Sequence, residues 1–108
     1  MANKYGAKSC EEDGYRFASI KERAYYRELK LRARAGEVGT ILVHPSYPLR
    51  VGDRIIGKMT LDFAYMDLTT GEMVYVDVKG GRATKTEAYS LRKRVWEACY
   101  HPWKITEV

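Results

Sequence analysis

Two aspartates and a lysine are the residues of this sequence whose types and spacing could act on a phosphate ester. Asp62 is followed, after fourteen residues, by Asp77-Val78-Lys79. Two neighbouring carboxylates can share a divalent cation such as Mg²⁺, which leaves coordination sites for water and phosphate. A nearby lysine could orient or deprotonate that water, or neutralise charge on the phosphate. The alternative is an exposed hairpin face with an ordinary Asp–Lys ion pair.

A β-hairpin over residues 60–79 would position these three residues. Apolar residues alternate with others in both halves of this segment, and Thr69-Thr70-Gly71 supplies a turn between them. The apolar positions are Leu61, Phe63 and Tyr65 in the first half and Val74, Val76 and Val78 in the second. The pattern therefore predicts two antiparallel strands that share one apolar face.

The apolar face also determines which residues lie opposite each other. Its members have odd numbers in the first strand and even numbers in the second, so facing residues must have numbers with an odd sum. A turn centred on Thr69 and Thr70 meets this condition and sets Asp62 opposite Asp77, with about 5 Å between their Cβ atoms. Like charges this close are destabilising unless a cation lies between them. We therefore expect Asp62 and Asp77 to hold a metal ion, with Lys79 on the same side.

The other segments predict one α/β domain over residues 15–108, after a loose basic arm over residues 1–14. Ser19 and Glu22 form a capping box at the start of a helix that Gly36 ends. Residues 40–57 contain short apolar runs interrupted by proline and glycine, a pattern typical of short or edge strands.

A second capping box, at Thr84 and Glu87, predicts a helix that continues through Tyr100. The apolar residues expected on its buried side are Ala88, Leu91, Val95 and Cys99. A last strand is expected over residues 103–107. Four aromatic residues are interpreted as core or interface residues rather than base-stacking platforms: Tyr25, Tyr26, Tyr89 and Trp96.

Length and composition limit the class of protein. The chain has 108 residues, of which 31% are charged, as in an ordinary single globular domain. It has no apolar run of 18 residues and no apolar signal segment near its start, so we expect neither a membrane partner nor secretion. Cys10 and Cys99 are far apart, and His44 and His101 are isolated and interpreted as packing or surface residues. We therefore expect a cytoplasmic protein with reduced thiols and no zinc site.

The charge is unevenly distributed around a formal net value of +5. Residues 60–78 contain four acids and no lysine or arginine, whereas residues 21–34 contain six basic residues and two acids, and residues 79–94 six and one. An acidic patch between basic segments suits a polyanion that is bound around a metal ion. A solvated, mildly basic surface explains the charge equally well.

The motifs resemble those of the PD-(D/E)XK nuclease superfamily. Its members carry two acids on adjacent strands of a hairpin and a lysine two residues after the second, a pattern that Asp62, Asp77 and Lys79 match. An earlier helix usually contributes a glutamate, and Glu22 occupies the corresponding place. Leu61 replaces the proline of the motif, and Asp77 is an aspartate rather than a glutamate; the superfamily tolerates both. Three segments are also similar to a family of small phage-encoded proteins assigned to this superfamily: Asn3-Lys4-Tyr5-Gly6, Tyr15-Arg16-Phe17-Ala18-Ser19 and Asp77-Val78-Lys79-Gly80.

The resemblance implies a restriction-endonuclease-like core, a mixed β-sheet of about four to five strands flanked by helices in the order αβββαβ. It implies a Mg²⁺- or Mn²⁺-dependent endonuclease of the host-cell cytoplasm that leaves a 5′-phosphate, with branched DNA such as a Holliday junction as the expected substrate. The metal would be held by Asp62, Asp77, Glu22 and the Val78 carbonyl, while Lys79 would serve the attacking water. Junction resolvases of this superfamily act as dimers, so a homodimer is expected, formed through exposed aromatic residues.

Basic residues around this site are expected to contact DNA phosphates. They are Lys4 and Lys8 on the arm, Arg82 and Lys85 after the hairpin, and Lys93 on the following helix near the scissile phosphate. Two other functions stay open. One is a catalytically inactive nucleic-acid-binding or phage accessory module on the same fold, and the other is a nuclease that nicks ordinary duplex DNA.

Overall fold

The computed structural model describes residues 9–79 and 86–108. Lys4, Lys8, Arg82 and Lys85 therefore lie outside the described residues. In chain order the described elements are β1 (Cys10–Glu12), β2 (Tyr15–Phe17), α1 (Ile20–Arg34), β3 (Val38–Val43), β4 (Ser46–Val51), β5 (Arg54–Thr60), β6 (Phe63–Asp67), β7 (Glu72–Asp77), α2 (Glu87–Cys99) and β8 (Ile105–Glu107).

A mixed four-stranded sheet, in the order β3-β6-β7-β8, forms the centre of this α/β fold. Its first three strands are antiparallel neighbours, and β8 runs parallel to β7. With α1 before it and α2 ahead of β8, the main sheet follows the order αβββαβ, the order that the resemblance implies. The small antiparallel hairpins β1–β2 and β4–β5 are additions to this order.

The two helices cover opposite faces of the sheet. Val76 packs in a buried cluster with Leu29 of α1, whereas its neighbour Tyr75 packs in a second cluster with Trp96 of α2. Successive residues of a strand point to opposite faces, so the two clusters lie on the two sides of the sheet. Burial on both sides fixes the register of the strands that carry the candidate site.

The hairpin of β6 and β7 has the register that the sequence predicts. Phe63 pairs with Val76 and Tyr65 with Val74, so the next residues outward, Asp62 and Asp77, lie opposite each other. The expectation for Leu61 is wrong, because Leu61 belongs to the α2 cluster rather than to the face of Phe63. The reason is a break between β5 and β6, where the chain leaves one sheet and enters the other.

Helix α1 begins and ends as predicted. The Ser19 hydroxyl accepts a hydrogen bond from the backbone N–H of Glu22 at 3.0 Å, which satisfies one of the free donors at the helix start. Gly36, with φ of +79°, follows the last turn in the left-handed conformation that favours glycine. Glu22 is thereby held in the first turn of the helix.

Residues 10–14, at the end of the expected N-terminal arm, form a strand and a turn. Strand β1 pairs with β2 about a turn in which Asp13 and Gly14 both have positive φ, 54° and 81°. Asp-Gly is the typical sequence of such a two-residue hairpin turn. Lys30 of α1 also binds the Glu12 carboxylate at 2.6 Å, which fastens this hairpin to the helix.

Helix α2 differs from its prediction in its start and in its buried side. Its N-cap is Thr86, whose hydroxyl accepts from the N–H of Tyr89, and the expected cap Thr84 lies outside the described residues. Trp96 is fully buried, while Leu91 is 54% exposed. The side expected to be buried is thus mostly exposed, because the aromatic residues of α2 bury more apolar surface against the sheet than its aliphatic residues could. No helix among the described residues is both long and apolar enough to cross a membrane.

Candidate active site

Asp62 and Asp77 are held against each other by hydrogen bonds between their strands. The backbone N–H of Val78 donates to Oδ2 of Asp62 at 2.7 Å, and the N–H of Asp62 donates to Oδ1 of Asp77 at 3.2 Å. Each carboxylate therefore uses one oxygen to accept from the opposite strand. For Val78 the contact is made by its N–H, and the role expected for its carbonyl as a metal ligand stays a prediction.

Glu22 and His44 join Asp62 on its other side. One potential ligand atom from each of the three side chains lies within 4.8 Å of the other two. Glu22 is 4% exposed, and its Oε1 lies 2.9 Å from Nε2 of His44. Asp77 is not a member of this group, so the structure joins Asp62 to Glu22 and His44 rather than to Asp77 alone.

His44 packs its ring against that of Phe17, as expected of a packing or surface residue, but it also lies in the group with Glu22 and Asp62. It follows β3 directly, its φ is +54°, and its backbone N–H donates to the carbonyl of Asp62 at 3.0 Å. A positive φ is uncommon for a residue with a side chain and is found more often at functional sites. The available signal was a polar side chain directly after an apolar strand, but the contact with α1 cannot be read from the sequence.

Burial raises the pKa of Asp62 to about 7, because the charged carboxylate loses contact with water. The negative charges of Glu22 and Asp77 also contribute to this raised pKa, whereas the hydrogen bond from Val78 and the proximity of His44 lower it. The protein thus holds a carboxylate at a place where an added positive charge would be favourable.

Lys79 lies beside Asp77, as the sequence predicts. Its Nζ is 3.8 Å from Oδ2 of Asp77 and 3.5 Å from the centre of the Tyr89 ring. A cation over an aromatic ring is stabilised by the negative face of the ring. The carbonyl of Lys79 accepts from Nζ of Lys21 at 2.6 Å, so the first turn of α1 also fixes the backbone here.

Tyr89 connects Asp77 to a fourth carboxylate, that of Glu107. Its hydroxyl lies 2.9 Å from Oδ2 of Asp77 and 2.9 Å from Oε2 of Glu107. Burial, together with the hydrogen bond to Asp77, raises the pKa of Tyr89, so the hydroxyl stays protonated and serves both carboxylates with one hydrogen. Lys93, a predicted DNA contact, lies 3.4 Å from Oε2 of Glu107 and partly neutralises it.

Tyr89 and Glu107 are site residues that the sequence pattern does not reveal. Tyr89 is half-buried among core aromatics, as expected, but its hydroxyl belongs to the site. Glu107 reaches the site because β8 pairs with β7 in parallel, which sets Asp77 beside Glu107. The alternation of residue types along the last strand is visible in the sequence, whereas the pairing of this strand with β7 is not.

Comparison with protein families is informative for the chain as a whole. The model of a family described as "Protein of unknown function (DUF1064)" matches residues 2–108. The chain belongs to this family. Neither the curated proteins nor the solved structures contain a significant match to it.

The donor set of Glu22, His44 and Asp62 fits a divalent cation. It offers two carboxylates and one imidazole, ligands that first-row divalent metals accept, and a cation bound there would favour the charged form of the buried Asp62 carboxylate. Asp77, by contrast, has both oxygens in use by Asp62 and Tyr89. The site therefore consists of two adjacent groups. The potential metal-binding group is Glu22, His44 and Asp62, and the second group is Lys79, Asp77 and Tyr89.

Proposed function

We propose that this protein is a metal-dependent DNA endonuclease that hydrolyses phosphodiester bonds. The observation that carries the proposal is the convergence of Glu22, His44 and Asp62 within 4.8 Å, next to Asp77 and Lys79. Buried carboxylates beside an accessible amine in one site are the groups that hydrolysis of a phosphate ester requires.

Glu22, His44 and Asp62 would hold the cation, Mg²⁺ or Mn²⁺. When bound, such an ion lowers the pKa of water and neutralises charge on a phosphate oxygen. Lys79 would orient or deprotonate the attacking water, or bind the phosphate, from its place over the Tyr89 ring. Asp77 would keep Lys79 in place and add its charge to the group, since its Oδ2 lies 3.8 Å from that amine.

The fold supports the resemblance to the PD-(D/E)XK superfamily. The two acids lie at the open end of a hairpin with the predicted register, and the lysine lies beside the second acid. The glutamate comes from the helix before the sheet, and the element order is αβββαβ. A restriction-endonuclease-like core is therefore part of the proposal, together with a phage origin and action in the host cytoplasm.

Branched DNA such as a Holliday junction is the proposed substrate, and a homodimer the proposed assembly. Basic residues on both helices flank the acidic site, as Lys21 and Lys93 illustrate. Their charge supports binding of a polyanion. Two copies would cut the two strands of a junction.

A catalytically inactive DNA-binding module is the second candidate. One observation favours it: Glu22 and Asp77 have hydrogen-bond partners within the protein, since His44 binds Glu22 at 2.9 Å and Tyr89 binds Asp77 at 2.9 Å. A protein that retained the fold only to bind DNA could keep these contacts as structural hydrogen bonds.

Cleavage assays separate the two candidates. Purified protein is incubated with labelled four-way junction, duplex and single-stranded DNA in Mg²⁺, Mn²⁺ or EDTA. We expect junction cleavage that EDTA abolishes and that Asp62→Asn eliminates, while Asp67→Asn, which changes an acid at the far end of the same hairpin, retains it. Binding of the junction without a cut in either metal would favour the inactive module, and cleavage by Asp62→Asn would contradict the assigned site.

A further inference from the structure

The hairpin β4–β5 is rooted at the candidate active site. It occupies the stretch of chain between His44 and Asp62, which are both members of the potential metal-binding group. Two backbone hydrogen bonds close its base, from the N–H of His44 to the carbonyl of Asp62 at 3.0 Å and from the N–H of Leu61 to the carbonyl of Pro45 at 2.9 Å. A ligand that binds along this hairpin would therefore lie next to the site.

The two faces of the hairpin differ. On one face Leu49 and Met59 are buried against α2. On the other face the cross-strand pairs are Ser46–Thr60, Pro48–Lys58 and Arg50–Ile55, and a shallow groove runs along it. The hydroxyl groups of Ser46 and Thr60 lie 3.2 Å apart, as expected of side chains on the same side.

The outer part of the hairpin is basic and apolar. It carries Arg50, Arg54 and Lys58 against the single acid Asp53. Among the described residues none of these three basic side chains takes part in an ion pair with an acid, although elsewhere Lys30 and Arg27 do. Ile55 and Ile56 are 60% and 58% exposed. Basic side chains beside exposed isoleucines suit a partner with both negative charge and apolar surface.

We propose that the β4–β5 hairpin is a DNA-binding arm. Arg50 and Lys58 bind phosphates of the duplex next to the strand that is cut, and Ile55, the cross-strand partner of Arg50, contacts sugar or base edges. A strand of seven residues extends for roughly 20 Å, which spans about six base pairs. The inference rests on the proposed function only for the choice of DNA as the ligand.

DNA binding by charge-removed variants tests the arm. Binding of labelled junction and duplex is measured by fluorescence anisotropy in EDTA, so that no cleavage is needed. The double variant Arg50→Gln/Lys58→Gln is compared with Arg34→Gln/Lys104→Gln, which removes the same charge from exposed positions outside the hairpin. Thermal unfolding of all proteins checks that they are folded.

We expect the arm variant to bind DNA about ten- to hundredfold more weakly and to reduce the slope of log K against log salt by about 1.8, the value for two lost phosphate contacts. The control variant should change the DNA affinity and the salt slope much less. Equal losses of DNA affinity in the two variants would contradict the proposal that the hairpin is a DNA-binding arm. This outcome is separate from the proposed function, because a protein without nuclease activity can still bind DNA through the hairpin.

A second copy of the chain is the other possible occupant of this face. The variant Ile55→Ser/Ile56→Ser is examined by sedimentation and by the same binding assay. Weaker DNA binding with unchanged mass supports the arm. A fall from dimer to monomer with unchanged DNA affinity would overturn it in favour of a self-association surface.

Discussion

Asp62 and Asp77 lie opposite each other at the open end of the β6–β7 hairpin, and each carboxylate accepts a backbone N–H from the other strand. These hydrogen bonds fix both side chains and divide their roles. Asp62 faces Glu22 and His44, whereas Asp77 faces Tyr89 and Lys79. The predictions below depend on this division.

The stability of the metal-free protein should fall as the pH rises from about 4 to about 7. Asp62 has a pKa of about 7 in the folded protein against an ordinary value of 3.8, so the folded state binds more protons than the unfolded state in this interval. Above pH 7 the folded protein carries a poorly solvated charge at Asp62. Urea unfolding in EDTA at pH 5 and pH 8 measures the difference.

The Asp62→Asn variant isolates this effect. It should remove most of the pH dependence and stabilise the metal-free protein at pH 8 by roughly 1–2 kcal/mol, a value reduced because the carboxylate keeps some contact with water. Asp67→Asn changes an acid whose pKa is lowered by hydrogen bonds from Thr69, and it should leave the slope between pH 4 and pH 7 in place. A wild-type protein that is more stable at pH 8 than at pH 5 would contradict the assignment.

Mn²⁺ should stabilise the protein more than Mg²⁺ does. Mg²⁺ prefers oxygen ligands, whereas imidazole is a good ligand for transition metals, and His44 adds one nitrogen to two carboxylates. The readout is the rise in melting temperature on titration with each ion, which requires no activity.

The variant His44→Ala should lose the preference for Mn²⁺, with at least a tenfold weaker affinity for this ion. His101→Ala, which changes an exposed histidine after α2, is the matched control and should bind both ions as the wild type does. If His44→Ala kept the wild-type response to Mn²⁺, the histidine would be only a hydrogen-bond partner of Glu22.

The register of the hairpin was predictable because one face must be buried. Only a pairing with an odd sum keeps Phe63 and Val76 on the same side, and a slip by one residue would expose every apolar side chain of a strand. This constraint is local, so it brought Asp62 and Asp77 together without knowledge of the rest of the fold. The cap at Ser19 was predictable for the same reason.

Other site residues depend on contacts between distant segments. His44 meets Glu22 only because β3 ends beside the first turn of α1, and Glu107 meets Tyr89 only because β8 joins the sheet beside β7. The spacing of apolar residues within a segment does not determine which distant segment lies beside it. The Asp13-Gly14 turn is different, since its signal is local and was present in the sequence.

Lys79 should be needed for cleavage but not for metal binding. It contacts Asp77 and the Tyr89 ring and is not a member of the potential metal-binding group. Lys79→Ala should therefore lower kcat by about 10²–10⁴, as expected for loss of a general acid or base. The rise in melting temperature caused by Mn²⁺ should persist.

Lys79→Arg serves as the conservative variant, because it keeps the charge over the ring and changes its proton chemistry. Partial recovery of cleavage by Lys79→Arg would indicate that Lys79 acts by neutralising charge on the phosphate. No recovery would indicate that it acts by proton transfer. Lys104→Ala removes an exposed lysine elsewhere and should be fully active. Wild-type cleavage by Lys79→Ala would exclude a catalytic role for this residue.

Tyr89→Phe should destabilise the protein. The change keeps the ring beneath Lys79 but removes the hydroxyl hydrogen between Asp77 and Glu107. Asp77 and Glu107 then lose the hydrogen-bond donor that they share, which costs roughly 1–3 kcal/mol. Tyr15→Phe, at a position 41% exposed, should change the free energy of unfolding by less than about 0.5 kcal/mol. Urea unfolding of both variants provides the measurement, and equal losses for Tyr89→Phe and Tyr15→Phe would mean that the Tyr89 hydroxyl does not stabilise the two carboxylates.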